Sequence, residues 1–395
     1  MKLTATLFAF CVAALLALGL VMLYSASSVQ VGTTFLLSQL MWGGVGLVAC
    51  AVMMSLDYRD FKKGAWGLFG IATILLILVL LIAAKRNGAR RWLTLAGQSF
   101  QPSELAKLAL VVCVAWYGDT CRRHMHTFWR GLAIPGIFIG PTLGLIVLEP
   151  DFGTTILLAS VSLIMLVLAG ARLRWIVPPA LVAAVILGAV VWHNENRRER
   201  IMNWWYLREA LAVDTKTLPP DVVQRLEESK RGVNHQAWEA MLAFGSGGPK
   251  GLGLGNGRQK HGFIPEHQTD FIFSVIGEEL GLVATLGVVA VFMVLVVCGL
   301  VIGWNAPDIF GFLLASGLTC LIGLQAFINL AVVTSLVPNK GLPLPFISKG
   351  GSSLMIMLAC AGVILSVARQ AGRQTVTEPA LMGEERPLAP QDNIT

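Results

Sequence analysis

Apolar residues along this chain come in long unbroken runs, not in the short periodic alternation of half-buried helices and strands. The runs lie near 4–24, 35–56, 65–84, 103–118, 132–148, 154–170, 175–192, 271–302, 308–336 and 353–368, and they are almost free of charge. A helix of about 20 residues rises roughly 30 Å, enough to cross a hydrocarbon core. The pattern therefore predicts an all-α polytopic membrane protein with about ten transmembrane helices. The first run follows Lys2 closely, as a signal peptide would. With so many spans after it, it reads as a retained helix.

Composition agrees with the pattern. Of 395 residues, 55% are hydrophobic and only 13% charged, with a mean hydropathy of +0.70. A single water-soluble core is excluded, because soluble domains carry roughly 25% charged residues. The seven cysteines lie in or beside apolar runs with no disulfide or metal spacing, and read as small packing residues. Cys121, His124 and His126 likewise match no standard metal pattern.

An even number of spans puts both termini on one side. The short loops on that side hold Arg59, Lys62, Lys63, Arg122, Arg123, Arg130, Arg172 and Arg174, and the tails add Lys2, Arg369, Arg373 and Arg386. The opposite short loops hold Lys85, Arg86, Arg90, Arg91, Lys340 and Lys349. The bias predicts cytoplasmic termini. A polar segment from about 193 to 270 then becomes a large extracytoplasmic loop between helices 7 and 8. Its middle, about 206–232, reads as helical. Residues 1–370 form the expected membrane domain, and 371–395, with three prolines, a disordered cytoplasmic tail.

Charge inside or beside a span costs about 2.5–3.5 kcal/mol on insertion scales and marks candidate chemistry. Three outer segments concentrate it. In 85–107, cations including Arg90 and Arg91 precede a helix start in which Glu104 and Lys107 stand one turn apart, able to pair or to face a shared cavity. In 245–279, a glycine-rich run carries Lys250, Arg258 and Lys260, cations suited to phosphate, but it is neither a P-loop nor a Rossmann fingerprint. Asp270 closes that segment where the next span begins. Partial desolvation there suits a general base, and capping of the helix start is the alternative reading. Glu278 and Glu279, two turns deeper, are expected to pair with a cation from another span. In 337–353, prolines and glycines rule out a regular span, so Lys340, Ser348 and Lys349 are expected on a re-entrant outer loop.

These segments resemble the SEDS family, the FtsW and RodA proteins of bacterial cell-wall synthesis. The resemblance runs in order through GLVMLYSASS (19–28), NGARRW (87–92), QPSELAK (101–107), EPDFGT (149–154), GLGNGRQK (within 251–260), PEHQTDFIF (265–273), GEELG (277–281) and NKGLPLPFISKGGSS (339–353). The QK after GLGNG, the GEE step and Lys340-Gly341 are closer to FtsW. Gln268 stands where the family has His before Thr-Asp, Lys349 where it has Tyr, and Glu239 where it has Gln, while 206–232 looks like an insertion.

The resemblance implies a multi-pass protein of the bacterial inner membrane that polymerises lipid II on its outer face for septal wall synthesis. In that reaction the 4-hydroxyl of one disaccharide attacks the anomeric carbon bearing undecaprenyl pyrophosphate on another, with inversion. The resemblance makes Asp270 the essential carboxylate. Arg90, Arg91, Glu104, Lys107, Lys260, Lys340, Ser348 and Lys349 become candidate substrate-binding residues. Implied partners are lipid II, membrane lipid, a class B penicillin-binding transpeptidase and other divisome membrane proteins, and no nucleic acid. No cofactor is assigned, and a divalent cation stays open. A lipid II flippase and a non-catalytic scaffold for a division transpeptidase are the alternatives.

Overall fold

The computed structural model describes residues 1–27, 34–84, 90–95, 98–193, 195, 198, 199, 201, 202, 204, 205, 235–258, 269–338 and 341–381. The helices are α1 (Lys2–Ser27), α2 (Thr34–Ser55), α3 (Tyr58–Ile82), α4 (Pro102–Thr120), α5 (Ile134–Leu148), α6 (Phe152–Leu168), α7 (Leu173–His193), α8 (His235–Gly247), α9 (Ile272–Trp304), α10 (Ile309–Val333) and α11 (Gly351–Leu381). A π-helical turn, Trp129–Ala133, leads into α5. Among the described residues, seven helices are long and apolar enough to cross a membrane: α1, α2, α3, α5 with its leading turn, α9, α10 and the Gly351–Gly372 part of α11. The other predicted span positions are occupied by α4, which carries Glu104, Lys107 and Asp119, by the 17-residue α6, and by α7, whose apolar stretch is the shorter Leu173–Ile186.

The bundle has two chemically distinct ends. At one, Tyr58 and Arg59 both bond Asp308, Lys62 pairs with Asp119, and Arg369 donates to the Ser55 and Leu56 carbonyls. Following the charge bias, we term this the inner end. The other end, the outer, carries Asp270 and the 341–350 loop. A two-stranded hairpin, β1 (Leu93–Leu95) and β2 (Gln98–Phe100), lies between α3 and α4 with Leu93 opposite Phe100. It did not stand out in the sequence.

Small residues let α2 and α11 approach closely. A Cβ on Gly46 of α2 would sit 3.2 Å from the Met355 Cα of α11, and one on Gly362 would press into Cys50. α11 continues past residue 371, where the sequence suggested a disordered tail, as far as Leu381. The expected helix at 206–232 lies outside the described residues.

One helix is longer than a bilayer requires. α9 has 33 residues, about 50 Å against roughly 30 Å of hydrocarbon. It is broken at Gly281, which has φ 78°. Phe271 through Glu279 are buried, whereas Leu282 and Val283 are 55% and 72% exposed. The break thus separates a protein-enclosed arm carrying the outer turn from a lipid-facing span.

Candidate functional site

Asp270 is half-buried in the turn that starts α9. The N-cap position itself falls on Phe271. The Asn329 side-chain nitrogen in α10 donates to the Asp270 backbone carbonyl at 2.8 Å and to the Leu342 carbonyl at 2.7 Å. Asp270 is thereby fixed beside the 341–344 segment. A Cβ on Gly341 would collide with Asp270 Oδ2, so glycine is required for the carboxylate to lie against this backbone.

One helical turn before Asn329, Gln325 donates to the Pro343 carbonyl at 2.9 Å and accepts from Lys107 Nζ at 2.9 Å. Lys107 also pairs with Glu104 at 2.9 Å, the two side chains being 0% and 2% exposed. The Glu104–Lys107 pair is therefore a buried network, not a surface pair. It reaches the Asp270 loop through Gln325. Glu104 Oε2 and Asn329 Oδ1 are buried and lack hydrogen-bond partners among the described residues. Each leaves an acceptor beside the network for a water or a substrate hydroxyl.

Arg91 is linked to the same loop from another side, through the 149–153 turn. Arg91 donates to the carbonyls of Glu149, at 3.0 Å, and Pro150. Arg90 Nη1 donates to the Leu80 carbonyl at 2.7 Å. In the turn held by Arg91, Asp151 caps α6 through Thr154 and accepts from Gln101 at 3.3 Å. Gly153 backs onto the Leu342 side chain. Arg91, the 149–153 turn, Leu342, Asn329 and Asp270 thus form one connected series. The Glu149 carboxyl is fully buried and neither oxygen has a partner. Burial pushes it up to about 8, helped by the Asp151 charge and opposed by Arg91.

Glu278 and Glu279, expected to pair with a cation from another span, accept hydrogen bonds from a hydroxyl and from backbone N–H groups among the described residues. Glu279 accepts from the Ser25 hydroxyl at 2.6 Å and from the Gly255 and Gly257 N–H groups, and Glu278 accepts from the Arg258 N–H at 2.8 Å. The break at Gly281 exposes backbone groups that the same loop satisfies. Leu252 and Gly253 N–H donate to the Glu278 and Glu279 carbonyls, both at 2.9 Å, and Leu282 N–H donates to Gly248. A carboxylate collecting N–H donors of a tight glycine turn is well stabilised. The glycine run is consequently docked on the arm that leads to Asp270.

Of the remaining predicted residues, Ser348 accepts the Leu344 N–H at 2.8 Å, and its carbonyl accepts from Gln39 at 3.1 Å. Both contacts shape the re-entrant loop. Lys349 Nζ lies 2.9 Å from the Phe35 ring centroid. Lys260 and Lys340 fall outside the described residues. Sequence reasoning passed over Gln325, Asn329, Glu149 and Asp151. Gln325 and Asn329 carried a usable signal, being amides spaced i,i+4 in an otherwise apolar span.

Comparison with known proteins places this geometry. Residues 5–373 match the FtsW/RodA/SpoVE family model, described as cell cycle protein. The chain is 39% identical over 365 residues to the probable peptidoglycan glycosyltransferase FtsW of Trichlorobacter lovleyi, covering 90% of this chain and 91% of that one. It is 35% identical to stage V sporulation protein E of Bacillus subtilis, covering 90% and 94%. Among solved structures, it resembles a chain of a peptidoglycan synthase complex that coordinates polymerization and crosslinking, with TM-score 0.71, 27% identity and 92% and 97% coverage. It also resembles the rod shape determining protein RodA of Thermus thermophilus, with TM-score 0.63, 28% identity and 92% and 96% coverage. With a match across nearly the whole chain, this protein belongs to the FtsW/RodA/SpoVE family.

Proposed function

We propose that the protein is an inverting peptidoglycan glycosyltransferase that polymerises lipid II on the outer face of the bacterial inner membrane, in septal wall synthesis, with Asp270 as general base. The observation that carries this reading is the placement of Asp270. It is a half-buried carboxylate at the outer end, its backbone held by Asn329 and its Oδ2 against Gly341. Relatives named peptidoglycan glycosyltransferase FtsW support the reaction class.

In the reaction, the acceptor 4-hydroxyl oxygen forms a bond to the donor anomeric carbon while its proton passes to the Asp270 carboxylate. The bond from that carbon to the pyrophosphate oxygen breaks, and the pyrophosphate leaves with the electron pair. Its developing charge needs cations in a partly dry site. Arg90, Arg91, Lys260, Lys340 and Lys349 are the outer-side candidates. Glu104, Lys107 and Ser348 complete the proposed set and hold the 343–348 segment, the pair through Gln325 and Ser348 through the Leu344 N–H. The likeness to a complex of polymerization and crosslinking supports a transpeptidase partner of the class B penicillin-binding type, within the assembly of division membrane proteins.

The test is polymerisation of lipid II by the purified protein in detergent, where no second compartment exists for a carrier to fill. Asp270→Asn keeps the size but cannot accept the proton, and should lose about 100-fold or more in rate. A folded Asp270→Asn protein working at the parent rate removes the base. Absence of polymer from the parent, alone and with its transpeptidase, removes the polymerase reading.

A further inference from the structure

The inner-end cations are alike in sequence but fall into two groups in the structure. Arg59, Lys62 and Lys63 are each paired with a carboxylate: Asp308, Asp119 and Asp60 respectively. Arg122, Arg123, Arg130, Arg172 and Arg174 have no carboxylate partner among the described residues, and all five are exposed. They are also gathered together. The 121–133 and 169–175 segments pack on each other through Met125 and Ala171, both buried, and through the Phe128 and Trp175 rings, whose centroids are 5.6 Å apart. No Asp or Glu occurs in either segment.

Aromatic side chains mark the level of this patch in the bilayer. Phe128 and Trp129 are 42% and 71% exposed where α5 is entered, and Arg174 lies over the Trp175 ring at 4.7 Å. Rings at span ends sit at the headgroup level, and guanidinium groups snorkel there. Beneath Arg174, the Trp175 indole N–H is buried and has no acceptor among the described residues. A charge bias that only orients the chain requires cations on this side. It does not require that they stay unpaired with the carboxylates of the described residues, nor their assembly over an aromatic floor.

We propose that this patch is a binding site for anionic phospholipid in the leaflet at the inner end, the arginines holding lipid phosphates and the rings packing on the glycerol and upper acyl region. Guanidinium suits phosphate because its planar donors engage two oxygens at once. An unpaired set loses no internal ion pair on binding, so headgroup contact is not opposed by competing carboxylates.

Native mass spectrometry of the full chain from micelles holding equal phosphatidylglycerol and phosphatidylcholine tests this. The parent should retain phosphatidylglycerol preferentially. Arg122→Gln/Arg123→Gln/Arg172→Gln/Arg174→Gln should abolish the preference. The double variant Arg122→Gln/Arg123→Gln, confined to an exposed 3-10 turn, guards against misfolding of the quadruple one. It should cut the preference by about fivefold for each arginine, the share expected for one cation at an anionic surface. Arg59→Gln, which removes a cation already paired with Asp308, should leave it within about twofold. Equal retention of both lipids by the parent overturns the site. So does a loss in Arg59→Gln as large as that per arginine in the double variant, which would make overall charge the cause.

Discussion

The side-chain nitrogen of Asn329 donates to the backbone carbonyl of Asp270 at 2.8 Å, joining the middle of the bundle to the turn that presents the carboxylate. The same nitrogen holds Leu342 at 2.7 Å. Asn329→Ala would leave two carbonyls without this donor, at about 1–3 kcal/mol for each that stays buried and unmet. Because positioning errors of about 1 Å can cost 100-fold, lipid II polymerisation should slow about 10- to 100-fold, mainly in kcat. Steady-state kinetics beside a melting curve check this. An unchanged kcat in a destabilised protein would make Asn329 purely structural.

The Glu104–Lys107 pair is buried, so either single alanine variant should cost about 3–5 kcal/mol by stranding the partner charge, where an exposed helical pair gives only a few tenths. The double alanine variant should lose less than the sum of the two. Denaturation of the four proteins in detergent measures the coupling. Additivity within about 0.5 kcal/mol would show that the two residues do not share a network.

Glu149 predicts a pH dependence of stability. Its carboxyl rises from the ordinary 4.5 to about 8 in the fold. Between those values the folded state holds a proton that the unfolded chain has released, so stability falls as pH rises. The contribution is fully present below about 4.5 and lost by about 8. Glu149→Gln, neutral throughout, should flatten this part of the melting temperature against pH. A variant curve parallel to the parent's would assign the dependence elsewhere.

Gly281→Ala should be strongly destabilising. Its φ of 78° disfavours any side chain, and a Cβ would collide with the Pro249–Gly251 backbone. Gly287→Ala, farther along the same helix with nothing within 4 Å, should instead stabilise by about 0.5–1 kcal/mol. Melting temperatures of the two variants should therefore move in opposite directions. A common direction would mean that the glycine loop is not locked to the break.

The helices were legible because the bilayer demands long apolar runs, and their order and limits follow the hydropathy closely. Glu104 and Lys107 were legible for a related reason: charges one turn apart at a span end must find each other or a cavity. The destination of Glu278 and Glu279 was not. A carboxylate in an apolar run suggests a cation, but among the described residues these two are met by the Ser25 hydroxyl and by backbone N–H groups, which every sequence possesses and none advertises. Gly281 was hidden in the same way, since a glycine in a membrane helix does not announce positive φ. The roles of Arg90 and Arg91 as donors to carbonyls of α3 and the 149–150 turn also depend on how loops fold over one another. Local pattern does not encode that.

The closure of the outer site by both ends of the chain has a consequence for biosynthesis. Ser25 meets Glu279 across 254 residues, and Gln39 meets Ser348 and Gly350 across 309 and 311. At roughly 5–20 residues per second, a ribosome that has made α2 needs about 15–60 s more to complete these partners. Throughout that interval the nascent chain already sits in the bilayer with Ser25 and Gln39 awaiting their acceptors and donors. The carboxylate that would act on lipid II has no finished loop beside it until the last helix enters. Translation itself therefore times the appearance of activity, and a chain released before α11 holds an unfinished outer site however well its earlier spans are inserted.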